Sequence, residues 1–125
     1  VGSEMCIRDR LCTALPVYHK EYAQMCSDII VEAFGRCNDI RRFGACAPEL
    51  CYLAMGRCEL YFEYLLSPWD YAAASLIVTE AGGTITATDG SPVKLTQKGG
   101  VIAANNAANH KQMADIVAEK TRSTN

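Results

Sequence analysis

The 125-residue sequence lacks the long apolar runs that a membrane-spanning helix needs. No apolar stretch approaches the roughly 18 residues of such a helix, and the N-terminus has no apolar signal-peptide core. Lysine and arginine number 12 against 14 acidic residues, and they form no block that could follow a phosphate backbone. We therefore expect no membrane and no nucleic acid as partner, and the cytoplasm as the compartment.

A metal-binding pattern of cysteines is also absent. Seven cysteines are present, but the number is odd and no two of them are separated by two residues. His19 and His110 stand at no ligand spacing from the three cysteines between positions 46 and 58. We interpret the cysteines as reduced thiols that act mostly as small apolar core residues, and both histidines as surface residues.

The composition indicates one folded domain or a piece of one. Half of the residues are hydrophobic and 21% are charged, which is typical of globular proteins and unlike disordered chains. The first ten residues, VGSEMCIRDR, show no hydrophobic period, so we predict that segment 1–10 is non-native or assembly-derived. Segment 11–125 is then the domain.

Hydrophobic spacing predicts alternating helices and strands. Three- and four-residue steps indicate helices, short aromatic or alternating runs indicate strands, and Gly56 and the pair Gly82–Gly83 are typical helix ends. The predicted elements are a helix over 18–37, a helix over 46–56, a strand over 59–64, a helix over 70–81, a strand and turn within 84–95, a strand over 100–104 and a final helix capped by Asn109. The predicted class is α/β.

Asp70 is the candidate for chemistry. It follows Pro68 and Trp69 at the start of a predicted helix, where free backbone amides keep a carboxylate ionised and fix its direction. A magnesium ligand needs both properties, because this cation prefers oxygen donors in octahedral geometry. From the residues alone, Asp70 is either a helix N-cap or a metal ligand.

A longer pattern around Asp70 resembles a known family. The run W-D-x-A-A-x-x-L-I-x-x-E-A-G-G from Trp69 to Gly83 resembles the C-terminal signature of the inositol monophosphatase family. Upstream, DIRRFGACA at 39–47 is similar to the family's R-R-x-G-S/T-A-A segment, and VIAAN at 101–105 is similar to its late strand. The resemblance implies the C-terminal part of a layered αβαβα sugar-phosphatase fold, with Asp70 as a ligand of catalytic Mg²⁺.

The same resemblance implies a substrate site. Glu63 matches the family glutamate that accepts hydrogen bonds from sugar hydroxyls, although an edge-strand charge is the alternative. Gly44, Ala45 and Cys46 match the segment that lines the substrate pocket, and Asp70 completes the expected set. Trp69 is expected to pack against Asp70 and position it.

Two family elements are missing from the chain. The family's catalytic centre also uses an N-terminal glutamate and a D-P-x-D-G-T segment, and neither occurs here. The resemblance therefore implies a fragment, inactive by itself, of a magnesium-dependent phosphatase acting on inositol monophosphate as a homodimer. The alternatives are a histidinol-phosphate, fructose-bisphosphate or nucleotide-phosphate phosphatase, or a non-catalytic α/β interaction module.

Overall fold

The computed structural model describes residues 10–15, 19–37, 39–42, 45–94 and 96–124. Five strands and four helices form these ranges, with a short 3₁₀ turn at Lys20–Tyr22 before the first helix. The elements are β1 (Arg10–Thr13), α1 (Ala23–Phe34), β2 (Asp39–Arg41), α2 (Cys46–Ala54), β3 (Leu60–Leu66), α3 (Pro68–Glu80), β4 (Thr84–Ala87), β5 (Gly99–Ala104) and α4 (Ala107–Thr124).

The strands form one mixed sheet in the order β2-β1-β3-β5-β4. β1 is parallel to both of its neighbours, whereas β5 is antiparallel to β3 and to β4. Parallel strands need crossover connections, and α1 and α2 supply them between β1, β2 and β3. The predicted α/β class is confirmed.

Helices cover both faces of the sheet. Because side chains alternate along a strand, Leu60 and Phe62 of β3 pack against α1 and α4, while Tyr61 between them packs against α2 and α3. The two apolar clusters therefore lie on opposite faces. Glu63 has the same parity as Tyr61, which places it on the face covered by α2 and α3.

Buried thiols contribute to both clusters. Cys26 and Cys37 belong to the α1–α4 side, and Cys12, Cys46 and Cys58 belong to the α2–α3 side. All the cysteines that the structure describes are free thiols, so their interpretation as reduced core residues is confirmed over that part of the chain. Cys6 lies outside the described residues.

Several predicted boundaries are wrong. The helix predicted over 18–37 is shorter, α1 at Ala23–Phe34, and β1 and β2 were not predicted. α3 begins at Pro68 rather than at position 70, because proline needs no amide partner in the first turn. Asn109 does not cap α4; it lies inside the helix, and its N–H donates to Oδ1 of Asn106 at 2.8 Å.

Candidate functional site

One cleft of about 490 Å³ collects the predicted site residues. Ala45 and Cys46 come from the start of α2, Glu63 from β3 and Asp70 from the first turn of α3. These residues are up to 25 positions apart in the sequence, and the packing of α2 and α3 on one sheet face brings them together. Gly44, the remaining predicted residue, lies outside the described residues.

Glu63 is a carboxyl group held largely out of water. Burial, together with the negative charges of Glu49 and Asp70, raises the pKa of Glu63 to about 7 against the lowering effect of the Tyr61 hydroxyl and the Arg42 charge. Near neutral pH the protonated and ionised forms of Glu63 therefore coexist. The ionised form only accepts hydrogen bonds, whereas the protonated form can also donate one.

A strained bulge separates Glu63 from the following helix. The pairing of β3 with β5 shifts between Glu63 and Leu66, and Leu65 within the bulge has φ 65°. A branched side chain in this left-handed region costs of order 1 kcal/mol and persists only where the surrounding structure enforces it. The bulge ends β3 immediately before the Ser67 cap of α3 and so sets the separation of Glu63 and Asp70.

Asp70 serves the helix and faces the cleft. It is the third residue of α3 rather than its cap, and its Oδ2 accepts a hydrogen bond from the N–H of Ser67 at 3.0 Å. This bond is half of a capping box and fixes the carboxylate in the cleft wall. Oδ1 accepts no hydrogen bond from the described residues, so it remains available for a ligand.

Comparison with known proteins identifies the family of this chain. The family model of the Inositol monophosphatase family matches residues 10–122. The chain belongs to the inositol monophosphatase family. Over 96 residues it is 42% identical to the Escherichia coli K12 protein named Nus factor SuhB, covering 76% of the chain and 35% of that relative. Over 82 residues it is 39% identical to Phosphatase IMPL1, chloroplastic, of Arabidopsis thaliana, covering 66% of the chain and 22% of that relative.

Solved structures of the family share the fold. The inositol monophosphatase from Anabaena (Nostoc) superposes with a TM-score of 0.76 at 30% identity, covering 94% of this chain and 45% of that one. SuhB from Bartonella henselae superposes with a TM-score of 0.80 at 29% identity, covering 94% and 44%. The chain thus spans about a third of the length of the curated SuhB relatives and under half of these solved chains.

The residues of this family member fit one part of a magnesium site. Asp70 lines the cleft, and a carboxylate oxygen is the donor type that magnesium selects. Among the described residues, however, no group of three or more His, Cys, Asp or Glu side chains converges closely enough to hold a metal ion. Asp70 fits as one ligand, and the described part of the chain does not complete the set.

Cys46 lines the cleft as an inert thiol. Burial, together with the nearby carboxylates of Glu63 and Asp70, raises the pKa of Cys46 to about 12 against the lowering effect of the Tyr61 hydroxyl. A thiol is nucleophilic only as the thiolate, which is negligible here at neutral pH. Cys46 therefore shapes the cleft wall, as the family resemblance implied. Ala45, the N-cap residue of α2, lies exposed beside it.

Two sequence interpretations, one at the site and one on the opposite face of the sheet, are wrong. Trp69 lines the rim of the cleft with 80% of its surface exposed, so it does not pack against Asp70 and position it. His110 is buried rather than on the surface, with Nε2 at 2.7 Å from Oγ1 of Thr86. It could have been recognised from its place on the same face of α4 as Met113 and Val117, three and seven residues on.

Three basic residues of the cleft were not predicted as site residues from the sequence. His19, Arg42 and Lys98 line the cleft together with its two carboxylates. His19 and Lys98 lie in segments with no local pattern that would bring them to the cleft, whereas Arg42 belongs to the family-like segment 39–47 that also carries the predicted pocket residues. The position of Lys98 directly before the strand-forming pair Gly99–Gly100 was the available signal, because it placed the side chain at a strand end.

Proposed function

We propose that the protein carrying this chain is a magnesium-dependent phosphate monoester hydrolase that acts on a phosphorylated polyol, inositol monophosphate in particular. The observation that carries this proposal is the convergence of Glu63, Cys46 and Asp70 on one cleft in a chain that belongs to the inositol monophosphatase family. Relatives named as a phosphatase and as an inositol monophosphatase support the same reaction class.

The residues divide the work by their chemistry. Oδ1 of Asp70 is the oxygen for Mg²⁺, and the bond from Ser67 to Oδ2 keeps its direction fixed. When bound, magnesium activates the attacking water and neutralises charge on the phosphoryl group. Glu63 receives polyol hydroxyls, and its half-protonated state near neutral pH lets it accept or donate. Ala45 and Cys46 form the wall against the substrate, and the family resemblance implies the same role for Gly44, which lies outside the described residues.

The test is release of inorganic phosphate by the full-length protein, with and without magnesium. Inositol monophosphate, histidinol phosphate, a fructose bisphosphate and a nucleotide phosphate are compared as substrates. Asp70→Asn should lower kcat by orders of magnitude, because it removes an anionic ligand while nearly preserving shape. Asp115→Asn is the matched control, since Asp115 is exposed on α4 and pairs with Lys111. Equal activity of the two variants at saturating magnesium would contradict the metal assignment.

A second candidate function is a non-catalytic interaction role. Its support is the name of the Escherichia coli relative, which is called a Nus factor rather than a phosphatase. Wild-type protein that binds magnesium but releases no phosphate from any of the four substrates would favour this role. Turnover that requires magnesium and Asp70 would favour the enzyme.

We also propose that the full-length protein is a cytoplasmic homodimer. The exposed side of α3 carries Trp69, Leu76 and Ile77, which are 80%, 62% and 47% exposed, and such an apolar surface is typical of contact regions. Light scattering on the purified protein measures its mass, and cell fractionation measures its compartment. Among the described residues no helix is both long and apolar enough to cross a bilayer.

A further inference from the structure

The basic side chains around the cleft differ in their acidic neighbours. His19 lies 3.4 Å from the carboxylate of Glu21, and the charge of Arg42 acts on Glu63. Lys98, in contrast, forms no ion pair with any residue that the structure describes. A positive charge with no ion-pair partner among the described residues thus lines a cleft whose two carboxylates are already assigned, in the proposed function, to a metal and to hydroxyl groups.

Lys98 also connects the cleft to a second cavity. This cavity, of about 170 Å³, is lined by Lys94, Lys98, Thr88, Gly99 and Gly100, and also by the acidic Asp89. Its charged groups are therefore two ammonium groups and one carboxylate, and the charge of Lys94 acts on that carboxylate. Of these residues only Lys98 lines both spaces, so an extended ligand in the cleft would reach the second cavity past this side chain.

The backbone that carries Lys98 is held in place. The hydroxyl of Tyr71 lies 2.6 Å from the carbonyl oxygen of Lys94 and 2.9 Å from that of Gln97. Gly99, on the other side of Lys98, pairs with Leu66 in the sheet. Since Tyr71 follows Asp70 in α3, these contacts tie the position of Lys98 to that of the metal ligand.

We propose that Lys98 provides a second anion-binding position, so that beside inositol monophosphate the protein also accepts phosphorylated polyols with a further anionic group, such as bisphosphates, and binds these more tightly. This specificity rests on the proposed phosphatase function. The scissile phosphate belongs at the Asp70 end of the cleft, and the polyol ring lies at Glu63. A second phosphate or carboxylate on the ring then meets the uncompensated ammonium at the junction of the two cavities.

The experiment compares inositol 1-phosphate with inositol 1,4-bisphosphate in the full-length protein. Lys98→Met removes the charge and keeps the chain length, while Lys111→Met removes an exposed ammonium paired with Asp115 on α4. For the bisphosphate, we expect Lys98→Met to raise KM about three- to tenfold with kcat unchanged, as for one exposed charge-assisted contact. KM for the monophosphate should change less than about twofold, and the Lys111 variant should match wild type. The bisphosphate preference should also shrink as salt is added.

Three results would overturn the proposal. An equal loss on both substrates would show that Lys98 serves the scissile phosphate. No change on either substrate would show a solvated lysine. Equal affinity of the wild-type protein for the two compounds, measured by calorimetry with calcium replacing magnesium, would exclude the preference directly. Calorimetry also tests the role of Lys98 independently of the phosphatase activity. If the bisphosphate binds more tightly, and this depends on Lys98, in a protein that shows no turnover, the anion-binding role of Lys98 is supported and the phosphatase function is refuted.

Discussion

Gly100 is the position where the sheet leaves least room, and its replacement by alanine should destabilise the fold. A Cβ added there would lie 2.4 Å from Cγ2 of Thr88 and 3.1 Å from the carbonyl oxygen of Glu63. The first distance is far below van der Waals contact, and the second atom is backbone that cannot rotate away. Forcing extra carbon into such a site costs about 1–3 kcal/mol, so Gly100→Ala should lower the free energy of unfolding by that amount.

Gly99 provides the matched control one residue earlier in β5. A Cβ built at Gly99 meets nothing within 4 Å, and no positive φ is recorded for this glycine. Gly99→Ala should therefore be neutral or slightly stabilising, because alanine reduces the freedom of the unfolded chain. Urea denaturation followed by circular dichroism measures both variants. Equal unfolding midpoints for the two would refute the close approach of β5 to Glu63.

Three further predictions concern the charges of Glu63 and His110 and the activity of the 125 residues by themselves. The folded-state pKa of Glu63 is raised from 4.5 to about 7. The stabilisation that Glu63 contributes is therefore full below pH 4.5 and is lost as the pH rises to about 7. In urea titrations, Glu63→Gln should remove this change of the free energy of unfolding with pH, which is at most about 1.4 kcal/mol per pH unit. Burial lowers the pKa of His110 from 6.5, so the stabilisation that His110 contributes is lost as the pH falls below 6.5. His110→Gln should remove that loss. If the free energy of unfolding of the variant falls with acid as it does in the wild type, the prediction is contradicted. The 125 residues alone should release no phosphate from inositol monophosphate at millimolar magnesium, and magnesium-dependent turnover would show that Asp70 suffices.

The longer elements could be predicted because their patterns are strong. α2 has proline in its first turn and a glycine with φ 79° after its end, and β3 is an aromatic-rich run, so both lie close to their predicted positions. β1 and β2 have four and three residues, too few for a period to emerge, and they are fixed only by parallel pairing with each other and with β3. Their existence depends on contacts that the local sequence does not record.

The start of α4 shows a different limit. Asn105, Asn106 and Asn109 are all competent capping residues, and the sequence does not distinguish between them. In the structure Oδ1 of Asn106 accepts a hydrogen bond from the backbone N–H of Asn109. The Nδ2 of Asn109 donates to Oδ1 of Asn105 at 3.0 Å. Three similar side chains therefore take different roles according to where the preceding strand β5 ends.

The site itself was predictable where a residue type is tied to a motif. Glu63, Cys46 and Asp70 were identified from the family resemblance, and the structure places them in one cleft. Lys98 and the strained Leu65 belong to no such motif. Leucine carries no preference for φ 65°, so only the register shift against β5 reveals the strain.

The bulge at Leu65 and the cap at Ser67 let Asp70 combine its structural role with the proposed binding of a metal. A carboxylate has two oxygens, and the N–H of Ser67 takes only Oδ2, which stabilises the start of α3 and stops rotation of the side chain. Because a fixed carboxylate loses little freedom on binding a cation, this helix cap preorganises the oxygen that remains for a metal. The choice between a cap and a ligand, which the sequence left open, thus need not be exclusive: the capping bond is what gives the proposed ligand its direction.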